Sequence, residues 1–408
     1  MSSVDLKRSV SLPFLIFYGV GTIVGGGFYA LLGEVVGLSG MATPIAFLLT
    51  GLLAMVSAFS FAELSARFPV SAGEAQYVDA GFGNAALTRL TGWLVMATGI
   101  VSTATLCVAS AGFIAPLLPA DLAAAPLVII SLLYLVMFVI AAWGIGGSVL
   151  VVSLVTIIEV GALVYVFVTN ADVLTTLPSR AADIWPTQWT GVFAGAFLAF
   201  YAFIGFEDMV NLAEEVKSPR RNMPLAIFIC IGAAGLLYVA VALVAVLAVS
   251  PEALANSPAP VAALASGQGW WPTTGLWMVS ILAGLNGALV QIIMAARVGY
   301  GMARAGRAPA WLGAVHKTRR TPIKATALVV GIGWMLASFL PIATLAEVTS
   351  GIVLLVFTLV NLALWRLKVQ GRAAMSSDVP NFPNWLPLLG FLVSGMVLLF
   401  NVAMKFMP

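Results

Sequence analysis

Long apolar runs separated by short polar connectors recur along nearly the whole chain. A helix crossing a hydrocarbon layer of about 30 Å needs about 20 consecutive apolar residues, and the runs reach or approach that length. The pattern predicts about eleven spans, roughly at 12–37, 41–64, 85–116, 126–144, 148–169, 190–214, 224–249, 273–303, 324–340, 343–366 and 386–405. Transmembrane strands would give short alternating segments instead, so the expected class is an all-α integral membrane protein. Two runs carry internal breaks: Gly25-Gly26-Gly27 interrupts the first and Ile204-Gly205 the sixth. Backbone left unpaired at bilayer depth costs several kcal/mol per group unless it lines a cavity or lies within protein. Breaks at matching places in two halves therefore point to a binding site.

The same breaks divide the chain. Residues 12–169 read as a first repeat, 190–366 as a second, and 386–405 as an additional span, with a polar connector over 170–187. An odd number of spans per repeat makes the second copy run the opposite way through the membrane, a five-plus-five inverted repeat.

Composition agrees with the class. The 408 residues are 61% hydrophobic and 9% charged, with mean hydropathy +1.06, where a soluble domain carries about 25% charged residues. Threading the spans from a cytoplasmic N-terminus puts all of the 19 basic residues except Arg180 and Lys405 at the inner face, from Lys7 and Arg8 through Lys317, Arg320 and Arg372. Membrane topology thus accounts for the net charge of +3, and no nucleic-acid partner is expected. No cleaved signal peptide is expected, since no small-residue cleavage site follows a short apolar core. Cys107 and Cys230 fall within spans and His316 in an inner loop, so neither a disulfide nor a metal centre is expected. No phosphate-binding GxxxxGK[ST] run exists, and no cofactor is expected.

The chemistry available at the breaks suits a zwitterion. Free N–H groups at Gly26 and Gly27, with the positive end of the half-helix that follows, favour a carboxylate. Carbonyls freed at Ile23, Phe203 and Ile204 suit an ammonium group, and Tyr201 and Phe206 offer aromatic walls. Gly21, Gly25 and Gly33 also have the spacing of helix packing contacts.

The run FIGFEDMVNLAEEVKSPRRNMPLAI closely resembles the sixth-span signature of permeases of the amino acid, polyamine and organocation superfamily. GVGTIVGGGF resembles that family's first-span motif, and FAELSARFPVSAGEAQYV the segment after its second span. RVGYGMARAGRAPAWLGAVHKTRRTPIKA and LAEVTSGIVLLVFTLVNLAL are similar to its span eight to nine connection and its tenth span. The resemblance covers nearly the whole chain and implies the LeuT-like fold, with substrate held between discontinuous spans one and six. It implies carboxylate binding at Gly26 and Gly27, amine binding at the Ile23, Phe203 and Ile204 carbonyls, an aromatic lid at Tyr201 and a side-chain-reading residue at Gln291. Three departures stand out. Many members have twelve spans, Gly26 stands where serine or threonine is frequent, and Glu159 stands where several relatives carry lysine.

The expected function is secondary active transport of amino acids across the cytoplasmic membrane by alternating access, with neutral substrates and possible proton coupling at Glu159. Arg297 is a partner for Glu159 if the two helices are neighbours, and Glu207 is the acid expected to contact the substrate region or cap the half-helix. A polyamine or cationic amino acid carrier is the alternative and would need an acidic residue near the substrate's distal end. An intramembrane enzyme would need a nucleophile with its base, and a channel would need rings of charge or carbonyls. Glu63 and Arg67 read as a local helical pair, Trp185, Trp189, Trp270 and Trp271 as interfacial anchors, and Asn286 as either a cavity residue or a helix-to-helix contact.

Overall fold

In the computed structural model the described residues are 8, 10–70, 73–143, 149–316, 319, 321–371 and 378–404. Lys7, Lys317, Arg320, Arg372 and Lys405 lie outside them. Helices occupy each segment marked by the apolar pattern. They are α1 (Leu12–Val24), α2 (Gly26–Ser39), α3 (Thr43–Arg67), α4 (Gly73–Phe82), α5 (Ala85–Ile114), α6 (Pro126–Trp143) and α7 (Val149–Thr169). The rest are α8 (Trp189–Ala199), α9 (Pro219–Ala248), α10 (Trp270–Arg304), α11 (Ile323–Phe339), α12 (Ile342–Val369) and α13 (Trp385–Met404), joined by shorter helical turns. Among the described residues the only extended pairing is an isolated bridge from Val10 to Val216.

Local sequence sets these limits. Proline enters the first turn of α1, α3 and α9, where its missing N–H leaves no bond unmade. Asn84 starts α5 by accepting from the N–H groups of Ala86 and Leu87 at 2.9 and 3.1 Å. At Gly25 the backbone turns to ψ −157°, which ends α1 and restarts the chain as α2.

Among the described residues, eight helical stretches are long and apolar enough to cross a membrane, and a ninth counts if the bent pair Leu154–Thr169 and Ala171–Ile184 is one crossing. The first of the eight is the whole of Leu12–Arg67, and Ile323–Phe339 is shorter, at 17 residues. The pattern's count of about eleven differs because it divides Leu12–Arg67 in two, counts Ile323–Phe339, and counts a span at 148–169 where the bent pair lies. The chain is thus an all-helical, multi-pass membrane protein. α5 packs along α10, α3 packs along α9, and the broken α1–α2 segment touches both pairs.

Candidate functional site

The two breaks meet. Helix α8 ends at Ala199 and passes into a tight 3-10 turn over Phe200–Phe203, then Ile204 is extended and Gly205 takes φ +127°. A Cβ at Gly205 would lie 2.5 Å from the Thr22 carbonyl oxygen, so the two backbones touch where only glycine fits. Side chains tie the junction together. Thr22 Oγ1 is 3.1 Å from the Gly205 carbonyl, and the Tyr238 hydroxyl of α9 lies 2.7 and 3.0 Å from the carbonyls of Ile23 and Ala202. Glu207 Oε2 accepts from the Gly205 N–H at 2.9 Å. Freed backbone groups at both breaks are thus partly satisfied by protein, as burial requires.

A cavity of about 40 Å³ lies at this junction. Ile23, Gly26 and Gly27 line it from the first break, Tyr201 and Ile204 from the sixth segment, and Asn286 and Gln291 from α10. At about 10–15 Å³ per water-sized site, it holds only a few waters, so its walls must part to admit a solute. Tyr201 forms one wall, with its hydroxyl 2.8 Å from Ser102 Oγ and donating to the Ser102 carbonyl at 3.0 Å. Gln291 donates through Nε2 to Asp208 Oδ2 at 3.3 Å, while its Oε1 has no hydrogen-bond partner.

Several candidates sit elsewhere. Phe203 does not line the cavity; the 3-10 turn, at about 120° per residue, carries its ring away from that of Tyr201 and edge-on to Tyr238 at 5.2 Å. Arg297 does not pair with Glu159, although α7 and α10 are neighbours, because its side chain is exposed while Glu159 is fully buried. Both Glu159 carboxyl oxygens lack a hydrogen-bond partner, and the polar side chains near them are those of Asn286, Tyr29 and Tyr238. The Glu159 backbone carbonyl accepts from the Tyr29 hydroxyl at 2.6 Å. Gly26 packs tightly, since a Cβ there would lie 2.8 Å from the Gly284 Cα of α10.

Sequence reasoning missed Thr22, Ser102 and Tyr238. Only Tyr238 left a signal, as a lone phenol within an apolar run, where a buried hydroxyl needs a partner. The Tyr201 wall leads to an expected result. Tyr201→Phe keeps the ring and loses about 1 kcal/mol from the Ser102 contacts, whereas Tyr201→Ala loses about 2 kcal/mol or more of aromatic wall and should cut uptake by about tenfold or more. Uptake and melting temperature measured side by side check this; equal losses of both in the two variants would assign Tyr201 to folding alone.

A family profile described as amino acid permease matches residues 10–408. The chain is 26% identical to the methylthioribose transporter of Bacillus subtilis, over 95% of this chain and 87% of that protein. It is 27% identical to the branched-chain amino acid permease BcaP of the same organism, covering 98% and 94%. Identity to cationic amino acid transporter 3 of Arabidopsis thaliana is 28%, over 88% of this chain, which spans only 62% of that protein's length. With a family match along nearly its whole length, the chain belongs to the amino acid permease family.

Proposed function

We propose that this permease is a secondary active transporter that carries amino acids by alternating access, binding them between the two broken segments. The observation that carries the reading is the meeting of both breaks at one small cavity, lined by Ile23, Gly26 and Gly27 from the first break, Tyr201 and Ile204 from the second, and Gln291 from α10. Gly26 and Gly27 would receive the carboxylate and Ile23 and Ile204 the ammonium group, while Phe203, which does not line the cavity, takes no part in this reading. Relatives named as transporters favour transport over catalysis.

The topology that fits is about eleven spans, with the N-terminus on the cytoplasmic side of the inner membrane. Leu12–Arg67, at 56 residues, would extend to about 84 Å as one helix, more than twice the hydrocarbon thickness, and so reads as two passes. Matched breaks in residues 12–169 and 190–366 support a LeuT-like inverted repeat.

Neutral amino acids are the proposed substrates, because apolar side chains such as Leu106 and Val290 join Ile204 in the wall. A second reading, transport of cationic amino acids, is favoured by Glu207 and Asp208 standing across the Ile204–Gln291 wall from the cavity. A thermal-shift screen of the purified protein against the amino acids and common polyamines separates them, since a ligand at 100 times its Kd adds about 2.7 kcal/mol to the folded state. No shift with any of them overturns the site.

Glu159 is the proposed link to protons, as a buried carboxyl without an ion-pair partner beside Asn286. Glu159→Gln in proteoliposomes is expected to abolish accumulation driven by an imposed pH gradient while preserving exchange. Unchanged accumulation with unchanged pH dependence would remove Glu159 from coupling.

A further inference from the structure

A second cavity, of about 10 Å³, lies on the far side of Ile204 and Gln291, which line both. Three carboxyl side chains converge on it: Glu74 from α4, and Glu207 and Asp208 from the turns after the sixth-segment break. Their exposures are 3%, 6% and 6%. Glu63, Asp79 and Asp183 form ion pairs, whereas none of these three carboxyls does so among the described residues. Asp208 accepts from the neutral Gln291 amide, and Glu207 from the Gly205 N–H. Gln291, only 7% exposed, lines the same cavity, and its Oε1 has no hydrogen-bond partner. No group of three acidic, histidine or cysteine side chains among the described residues is arranged to hold a metal ion.

We propose that this cavity is a proton-binding site, in which Glu74, Glu207 and Asp208 hold protons while α4 is docked on the sixth segment, and from which Glu74 releases its proton to the cytoplasm when α4 parts. Three like charges cannot all be ionised in one desolvated space, and a protonated carboxyl supplies the O–H donor that Gln291 Oε1 lacks. The dock is close, since a Cβ at Gly73, the first residue of α4, would lie 2.7 Å from Asn211 Oδ1. Other titratable groups around the site are Tyr77 on α4, and Tyr18 of α1, which faces Asp208 and also Arg297 and Glu215. Burial pushes the Glu74 carboxyl from its ordinary 4.5 up to about 8.

The sign follows from the proton count. A docked Glu74 binds a proton that an undocked one, in water, has lost above about pH 4.5, so rising pH weakens docking until the docked group also ionises near pH 8. Proton binding does not depend on which solute is carried; its release on opening rests on the carrier reading above.

Hydrogen exchange of the purified full chain, followed on peptides covering α4 and corrected for the intrinsic pH dependence of exchange, tests the proposal. Wild-type protection should fall about tenfold per pH unit between about pH 5 and pH 7.5 and level off above about pH 8, and Glu74→Gln should remove that one-proton slope. A flat wild-type profile overturns the proposal, and that measurement stands even if the glutamine variant does not fold. An unchanged slope in Glu74→Gln also overturns it. Protection that follows replacement of choline by sodium, or addition of L-lysine, and not pH, overturns it in favour of a bound cation. Failure of every solute in an uptake assay would count against the carrier reading and leave the exchange result intact.

Discussion

Gly205→Val is expected to eliminate ligand-induced thermal shifts altogether and to lower the stability of the folded protein severely. Two costs combine at that position. The backbone sits at φ +127°, a region closed to β-branched residues, and holding a non-glycine residue in such a region costs about 1–3 kcal/mol. The new Cβ would also lie 2.5 Å from the Thr22 carbonyl oxygen and 2.7 Å from its carbon, both backbone atoms that no rotamer change can move. The first break would have to withdraw from the sixth, taking the Thr22 contact to the Gly205 carbonyl and the Tyr238 bridge with it. Gly161→Ala is the control, because nothing lies within 4 Å of a Cβ at that position. A Gly205→Val protein that melts like wild type and still shifts with ligand would show that the breaks need not touch for binding.

The same contacts explain how far the site could be read from the sequence. The breaks were legible because consecutive glycines, and glycine followed by acidic residues, violate the pattern of a continuous apolar helix. The need for glycine at 205 was not separable from the need at 26, since both depend on which backbone approaches. Gly27 is less confined than Gly26: its Cβ would meet Ala202 Cα at 3.1 Å, whereas at Gly26 the Leu106 side chain and the α10 backbone are both within 2.9 Å. Gly26→Val therefore tests folding more than binding, and Gly27→Ala is the cleaner probe of the cavity. Phe203 and Arg297 show the other limit. Helical spacing gives depth along a span, but the facing of a residue in a 3-10 turn or on a half-exposed helix depends on the local screw and on neighbours far away in sequence.

Glu63 carries the second large effect, and it shows how a local pair can hide a long-range one. The i, i+4 spacing to Arg67 predicts a modest surface contact, about 0.3–0.5 kcal/mol for a solvated helix pair. In the fold Glu63 is fully buried and bonded to Arg67, and also lies 2.7 Å from Lys368 Nζ of α12. Its second oxygen accepts from the Phe382 N–H at 3.0 Å, while Lys368 donates at 2.7 Å to Asn381 Oδ1 and to the Phe382 carbonyl. One carboxylate thus joins α3, α12 and the segment leading into α13, with Phe382 packed edge-on to Phe59 at 5.0 Å. The side chains of Arg67 and Lys368 are only 6% and 3% exposed, so neither can recover hydration if the acid is removed. Glu63→Ala is expected to cost about 3–5 kcal/mol, the range for breaking a buried ion pair from one side. Adding Lys368→Met to Glu63→Ala removes one of the two buried cations that faced the acid and should recover part of the loss, a coupling measurable as non-additivity in a double-mutant cycle. Additive losses in that cycle would mean that Lys368 is held by Asn381 and Phe382 alone. A loss below about 1 kcal/mol for Glu63→Ala would return the group to the local, solvated pair that its spacing suggests.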